Sequence, residues 1–367
     1  MKSGPLRVCH LISGDTWGGA EAFVYRLAVA QVQTGHEVGV ILLNRGLLEQ
    51  RIRAAGIQHW LIPEAQYNFF GLLRCVRDTV QRFSPSVLHA HRYKEDLLAA
   101  CAPHAVKVVV TLHGYEPTYR LADRLKVHLV LCCVRGLERI RPLRFVAVSE
   151  DLRRRFQFSP ARCDVIPNGV ELPEAGALQR SAEYDASTVT IGWVGRMVPV
   201  KALSVLIEAF ALLCAREPTL AVRLLLVGEG PERPLLQELA QHLRLASRIE
   251  FAGFSEDVAR AFQRMTLLAL PSLHEGLPLS LLEAMAHGVP VIAAAVGGIP
   301  QALSGTGAAR LVASHAPEIW CEAIRELLHD PSAAQRLASA GRKLVEERFS
   351  IRHAAQQYAA LYTSSTF

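Results

Sequence analysis

The chain has no apolar run approaching the roughly 18–20 residues that a membrane-spanning helix needs. Its richest apolar stretch, residues 128–134, ends at Arg135. Lys2 and Arg7 lie near the start, but no long apolar segment follows them, so a secretory signal is not expected. None of the 8 cysteines (9, 75, 101, 132, 133, 163, 214 and 321) forms a C-x-x-C pair. Most sit in apolar surroundings such as Val8-Cys9-His10-Leu11, and the expectation is buried, reduced thiols and a cytosolic chain. No repeat of 20–50 residues is visible, which excludes a solenoid. Gly at 25 and Pro at 19 are ordinary counts and exclude collagen-like or linker-like architecture.

What is present is globular. Half of the 367 residues are apolar and 20% are charged. One core stops growing at about 250–300 residues, so two domains are expected. The net charge of +6 is uneven. Residues 1–180 hold 24 Lys+Arg against 16 Asp+Glu, and the remainder holds 16 against 18. A basic half suits either a solvated Arg-rich face or an acidic partner such as phosphate or an anionic membrane.

Short apolar strands alternate with amphipathic helices. Residues 7–12 read as a strand, 20–34 as a helix capped by Gly35, and 36–43 as the next strand. Similar strands are expected at 86–89, 106–111 and 144–148. Residues 171–188 are polar and aperiodic, which predicts a linker. A second series follows, with strands at 189–194, 223–227, 249–252, 267–270 and 289–295 and a helix over 202–215. Continuous apolar strands alternating with helices imply βαβ units and parallel sheets. The expected fold is α/β, with two doubly wound domains facing a central cleft. Ligands in such sheets bind beyond the carboxyl ends of the strands.

Four segments after strands carry chemistry. Gly195-Arg196 is followed by Lys201, and guanidinium and ammonium suit phosphate oxygens. Val227-Gly228-Glu229-Gly230-Pro231 is a turn where backbone can approach a ligand. In the third, Glu275-Gly276-Leu277-Pro278 leads into a helix with Pro278 in its first turn and Glu283 inside it. The amides of that helix start suit an anion. Eight helical residues would separate the two carboxylates by roughly 12 Å, which suits hydroxyl recognition at two ends of an extended ligand. The fourth is the Gly297-Gly298 turn.

This spaced set resembles the retaining glycosyltransferases of family 4, which have the GT-B fold of two Rossmann-like domains. Gly18-Gly19-Ala20-Glu21, His89-Ala90-His91, Thr111-Leu112-His113-Gly114, Val148-Ser149 and Ile166-Pro167-Asn168-Gly169-Val170 extend the resemblance over nearly the whole chain. It implies an acceptor-binding domain over 1–172, a nucleotide-sugar-binding domain over 173–349 and a helix, 350–367, crossing back to the first domain. By the same resemblance Arg196 and Lys201 hold the diphosphate, Glu275 binds donor-sugar hydroxyls, and Glu283 binds the ribose. His113 stands beside the donor sugar, Gly18 and Gly19 let the first loop approach, and Gly228, Gly276, Leu277 and Pro278 complete the donor site. Two positions depart from the family: Lys201-Ala202 stands where Lys-Gly is frequent, and Gln301 where Glu is frequent.

Breaking a sugar–phosphate bond leaves negative charge on the nucleoside diphosphate. No two aspartates stand two residues apart, so the usual metal-holding pair is missing. Arg196, Lys201 and a helix start are the expected substitute, each well-placed donor contributing about 3 kcal/mol. The expectation is metal-independent transfer with retention, no cofactor, and a UDP-sugar favoured over a GDP-sugar. His113 is expected to position donor and acceptor rather than act as general base. The acceptor is a hydroxyl, with a lipid-linked one suggested by the basic stretch 120–144 and its interleaved leucines. That stretch makes an anionic membrane at its inner, cytoplasmic face a candidate partner. Nucleic acid is not expected, since no recognition motif accompanies the charge. A nucleotide-sugar epimerase and a catalytically silent binding subunit are the alternatives.

Overall fold

The computed structural model describes residues 4–103, 105–114, 121–137, 142–173 and 188–364. They form two units. The first runs to Gly169 and resumes at Ile351; the second is Val170–Ser350. Most of the sequence-predicted linker, 174–187, lies outside the described residues, as do 115–120 and 138–141 within and beside the basic stretch. No helix among the described residues is long and apolar enough to cross a membrane.

The first unit contains β1 (Arg7–Ile12), β2 (Glu37–Leu42), β3 (Gln58–Leu61), β4 (Val87–Ala90), β5 (Lys107–Leu112), β6 (Leu143–Ala147) and β7 (Cys163–Val165). They form one sheet in the order 3-2-1-4-5-6-7. The second contains β8 (Val189–Val194), β9 (Val222–Val227), β10 (Ile249–Gly253), β11 (Leu267–Leu270), β12 (Val291–Ala294) and β13 (Arg310–Val312), in the order 10-9-8-11-12-13. Every pairing is parallel. The cause is visible in the strands: β4, β11 and β12 are buried at every position, as a sheet covered on both faces requires.

Chain order reverses between β1 and β4 in one sheet and between β8 and β11 in the other. Loops leaving adjacent strands at such a reversal diverge and open a crevice at the carboxyl ends. Sequence motifs that follow β8 and β11 are therefore placed side by side by topology alone.

The helix Gly19–Gln33 ends as the sequence indicates: Gly35 has φ +88°, the left-handed geometry that terminates a helix without a Cβ clash. The last helix, Ile351–Thr363, packs on Gly19–Gln33 in the first unit and buries Ala354, Ala355, Tyr358, Leu361 and Tyr362. The cysteine expectation needs correction. All eight are free, but only Cys9, Cys163 and Cys321 are buried, while Cys132 and Cys133 are exposed on the helix Leu121–Leu137. An apolar sequence neighbourhood does not fix which face of a helix a residue takes.

Candidate active site

In the second unit the loops after β8, β9, β11 and β12 are knit together by backbone. Gly195 N–H donates to the Val227 carbonyl at 3.0 Å and Met197 N–H to that of Glu229 at 2.8 Å. Leu273 N–H donates to the Val200 carbonyl at 2.8 Å, and Gly298 N–H to that of Glu275 at 3.0 Å. Two glycines are fixed by this closeness. A Cβ on Gly228, at φ +132°, would overlap the Gly195 carbonyl; one on Gly297, at φ +55°, would overlap that of Glu275. The glycine turns act first as spacers that let four loops meet.

The Lys201 ammonium lies 2.6 Å from Glu275 Oε1, and the Ser272 hydroxyl donates to the same oxygen at 2.7 Å. The Glu275 side chain is only 9% exposed and that of Lys201 22%. A carboxylate this deep requires paired charge and hydrogen bonds, and it receives both. In turn the pair fixes the ammonium at the loop end beside the switch point. Lys201 closes a short 3-10 turn, Pro199–Lys201, and the next residue, Ala202, has φ +48° and ψ +44°. This is the left-handed geometry in which a glycine is favoured by about 1 kcal/mol. The alanine that departs from the family pattern thus keeps a glycine's backbone shape.

Arg196 is exposed, and its guanidinium has no partner among the described residues. The helix Leu279–Ala286 starts after Pro278, which stands one residue before it rather than in its first turn. Only part of the interval from Glu275 to Glu283 is therefore helical, and the full-helix 12 Å separation does not apply. Glu283 is half-buried among Leu281, Leu282, Ala284 and Met285, which are all buried. Gly276 and Pro278 are half-buried and Leu277 is buried. An ammonium, a guanidinium and a helix start at one loop cluster can bind an anion, and the Glu275 carboxylate can accept from hydroxyls.

The remaining sequence-predicted residues, Gly18, Gly19 and His113, belong to the first unit. Gly18 caps the helix Gly19–Gln33, and its N–H donates to Glu21 Oε2 at 3.0 Å. Glu21 is buried and its other oxygen pairs with Arg92. Sequence reasoning missed Arg92, whose distance in sequence from Glu21 hides the pairing. It also missed Ser272, an ordinary loop serine by composition.

His10, His89 and His91 form a buried cluster whose ligand atoms lie within 4.8 Å of one another. Every ring nitrogen already has a hydrogen-bond neighbour: His10 has Gln31 and His91, His89 has Tyr362 and Thr111, and His91 has His10 and His113. A metal would have to break several of these contacts, so the cluster fits a hydrogen-bonded network better than a metal site. Burial disfavours the charged imidazole, lowering His10 to about 4 and His89 and His91 well below the usual range. His113 falls to about 3, through burial and the nearby Arg92 charge. The signals in the sequence were His10 within the apolar run of β1 and the histidines of His89-Ala90-His91 and Leu112-His113 at the ends of β4 and β5.

Residues 17–174 match the family model described as Glycosyltransferase Family 4, and residues 188–330 match the one described as Glycosyl transferases group 1. The D-inositol 3-phosphate glycosyltransferase of Thermobispora bispora is 33% identical over 393 aligned residues, covering 96% of this chain and 91% of that protein. Its namesake from Rhodococcus opacus is 34% identical over 234 residues, 59% of this chain. The chain spans about half the length of that second relative, 51%. Among solved structures, Anabaena Alr3699/HepE in complex with UDP and glucose superposes with a TM-score of 0.83 at 21% identity, covering 98% of this chain and 100% of that one. That likeness shows the GT-B fold.

Proposed function

Since the chain belongs to the family 4 glycosyltransferases, we propose that it moves a sugar from a nucleoside diphosphate to a hydroxyl acceptor, in glycoconjugate synthesis, with retention. The observation that carries this reading is the Lys201–Glu275–Ser272 constellation at the β8/β11 switch point. In it Arg196, Lys201 and the amides at the start of Leu279–Ala286 meet the charge that develops on the departing diphosphate, in place of a divalent ion. Fixed donors of this kind need not reorganise as the bond breaks. Glu275 holds sugar hydroxyls, Glu283 the ribose, and Gly228 leaves room for the nucleotide. A UDP-sugar is the favoured donor, in keeping with the UDP named for the Anabaena structure.

A panel of UDP-, GDP- and ADP-sugars in EDTA tests this by thermal shift. The expected result is a raised melting temperature with UDP-sugars. No shift with any of them would sink the reading. Incubation with donor alone separates transfer from epimerisation, since only an epimerase yields a new nucleotide sugar without acceptor.

The reading includes a membrane-associated acceptor, supported by a surface of the first unit. Tyr67, Phe69 and Phe70 are exposed at the start of the helix Phe69–Phe83, Phe70 by 79%, and Arg74 and Arg77 are exposed on its next turns. Aromatic rings beside cations suit an anionic lipid interface. The chain should sediment with phosphatidylglycerol vesicles at low salt, and less so at high salt or as Phe70→Ser. Equal sedimentation of both forms at both salts would remove this surface from the proposal.

A further inference from the structure

A row of polar side chains runs through the buried part of the first unit and ends on His113. Gln31 Oε1 lies 2.8 Å from His10 Nε2, His10 Nδ1 lies 2.9 Å from His91 Nε2, and His91 Nδ1 lies 3.0 Å from His113 Nε2. Gln31, His10 and His91 are buried, whereas His113 is half-buried. No hydrogen-bond partner of His113 Nδ1 is found among the described residues. The row follows from topology: His10 lies on β1, His91 just after β4 and His113 just after β5, and these strands are neighbours in the sheet.

Burial disfavours the charged form of all three rings, with the Arg92 charge adding to it at the half-buried His113. A neutral imidazole has one N–H and one bare nitrogen. Rings in series must therefore pass their hydrogen bonds in a single direction, and only two arrangements exist. The Gln31 end selects between them. Its Nε2 donates to Tyr362 Oη at 3.4 Å, which leaves the carbonyl oxygen to accept from His10 Nε2–H. Tyr362 Oη lies 2.7 Å from His89 Nδ1, and His89 Nε2 lies 2.7 Å from Thr111 Oγ1, so the far side of the amide is tied into its own network.

We propose that Gln31, acting through His10 and His91, locks His113 as its Nε2–H tautomer, so that its Nδ1 accepts a hydrogen bond from a hydroxyl of the bound substrate. Gln31, His10 and His91 are positioning residues in this scheme, and His113 is the group that meets the ligand. Selectivity follows, because a group that can only accept hydrogen bonds finds no donor at His113 Nδ1. The role toward a substrate hydroxyl rests on the glycosyltransferase reading; the tautomer lock does not.

Ring-15N-histidine labelling of the full chain and two-bond 1H–15N correlation spectra test both parts. A neutral ring gives different patterns for its two tautomers, and His113→Gln identifies the signals that belong to position 113. The expected pattern is a protonated Nε2 and a bare Nδ1. In Gln31→Met, whose thioether is only a weak acceptor, position 113 should show both tautomers. An Nδ1–H pattern in the wild type overturns the proposal, and so does an unchanged pattern in folded Gln31→Met. If that variant does not fold, the wild-type spectrum decides alone. Addition of UDP-glucose should then shift the Nδ1 signal. Binding of UDP-glucose without such a shift removes the hydroxyl contact while leaving the donor reading intact; no binding at all counts against the donor reading and not against the lock.

Discussion

Lys201→Ala should lower the rate of sugar transfer by about 10²–10³-fold, the loss seen when one preorganised charge-stabilising donor is removed. The ammonium is held 2.6 Å from Glu275 Oε1 and keeps 22% of its side chain exposed, enough to reach an anion without losing its anchor. Removing it leaves the Glu275 carboxylate with the Ser272 hydroxyl as its one remaining side-chain partner of the two. Breaking a fully buried pair costs about 3–5 kcal/mol, but water can reach this one, so about 1–2 kcal/mol is expected. That corresponds to a melting temperature lowered by roughly 2–8 °C, with a folded chain at assay temperature. Circular dichroism melting and nucleotide release from the donor, both in EDTA, check the two halves. Full activity in a folded Lys201→Ala would contradict the role given to the cation.

Glu275→Ala should be as damaging to turnover, by about 10²-fold or more, and different in kind. The carboxylate is proposed to hold sugar hydroxyls, and the diphosphate is proposed to rest on Arg196 and Lys201. The variant should therefore lose transfer by far more than it loses affinity for UDP, which weakens only as far as Lys201 depends on the carboxylate for its position. Lys201 is the more exposed partner, so freeing it costs less than stranding the carboxylate. The double variant should lose far less than the product of the single losses, because the two side chains share one oxygen contact. Calorimetric UDP binding beside initial rates measures the split. Parallel loss of UDP affinity and turnover in Glu275→Ala would show that the carboxylate serves the nucleotide and not the sugar.

Most of the central strands were legible because a parallel sheet buried on both faces leaves unbroken apolar runs. The spans 7–12, 189–194 and 267–270 coincide with β1, β8 and β11. Three of the four edge strands, β3, β7 and β13, were not, since Gln58-His59-Trp60-Leu61, Cys163-Asp164-Val165 and Arg310-Leu311-Val312 are short and partly polar. Glycine turns after strands pointed to the loops of the candidate site, and the structure adds why Gly228 and Gly297 must be glycine. Pairings made only by topology were not legible. Nothing within the segments around Glu21 and Arg92, or around Gln31, His10, His91 and Tyr362, announces that they meet. The cysteines erred for the opposite reason: Cys132 and Cys133 lie in an apolar run but on the outward side of their helix.

The role of fixed cations in holding a diphosphate comes down to one binding curve: UDP titrated calorimetrically, in EDTA, into the wild-type chain and into the Arg196→Ala/Lys201→Ala double variant. Saturable binding by the wild type, weakened at least 100-fold in a folded double variant, is the expected result. Equal affinity in both proteins, or wild-type binding that appears only when a divalent ion is added, would contradict it.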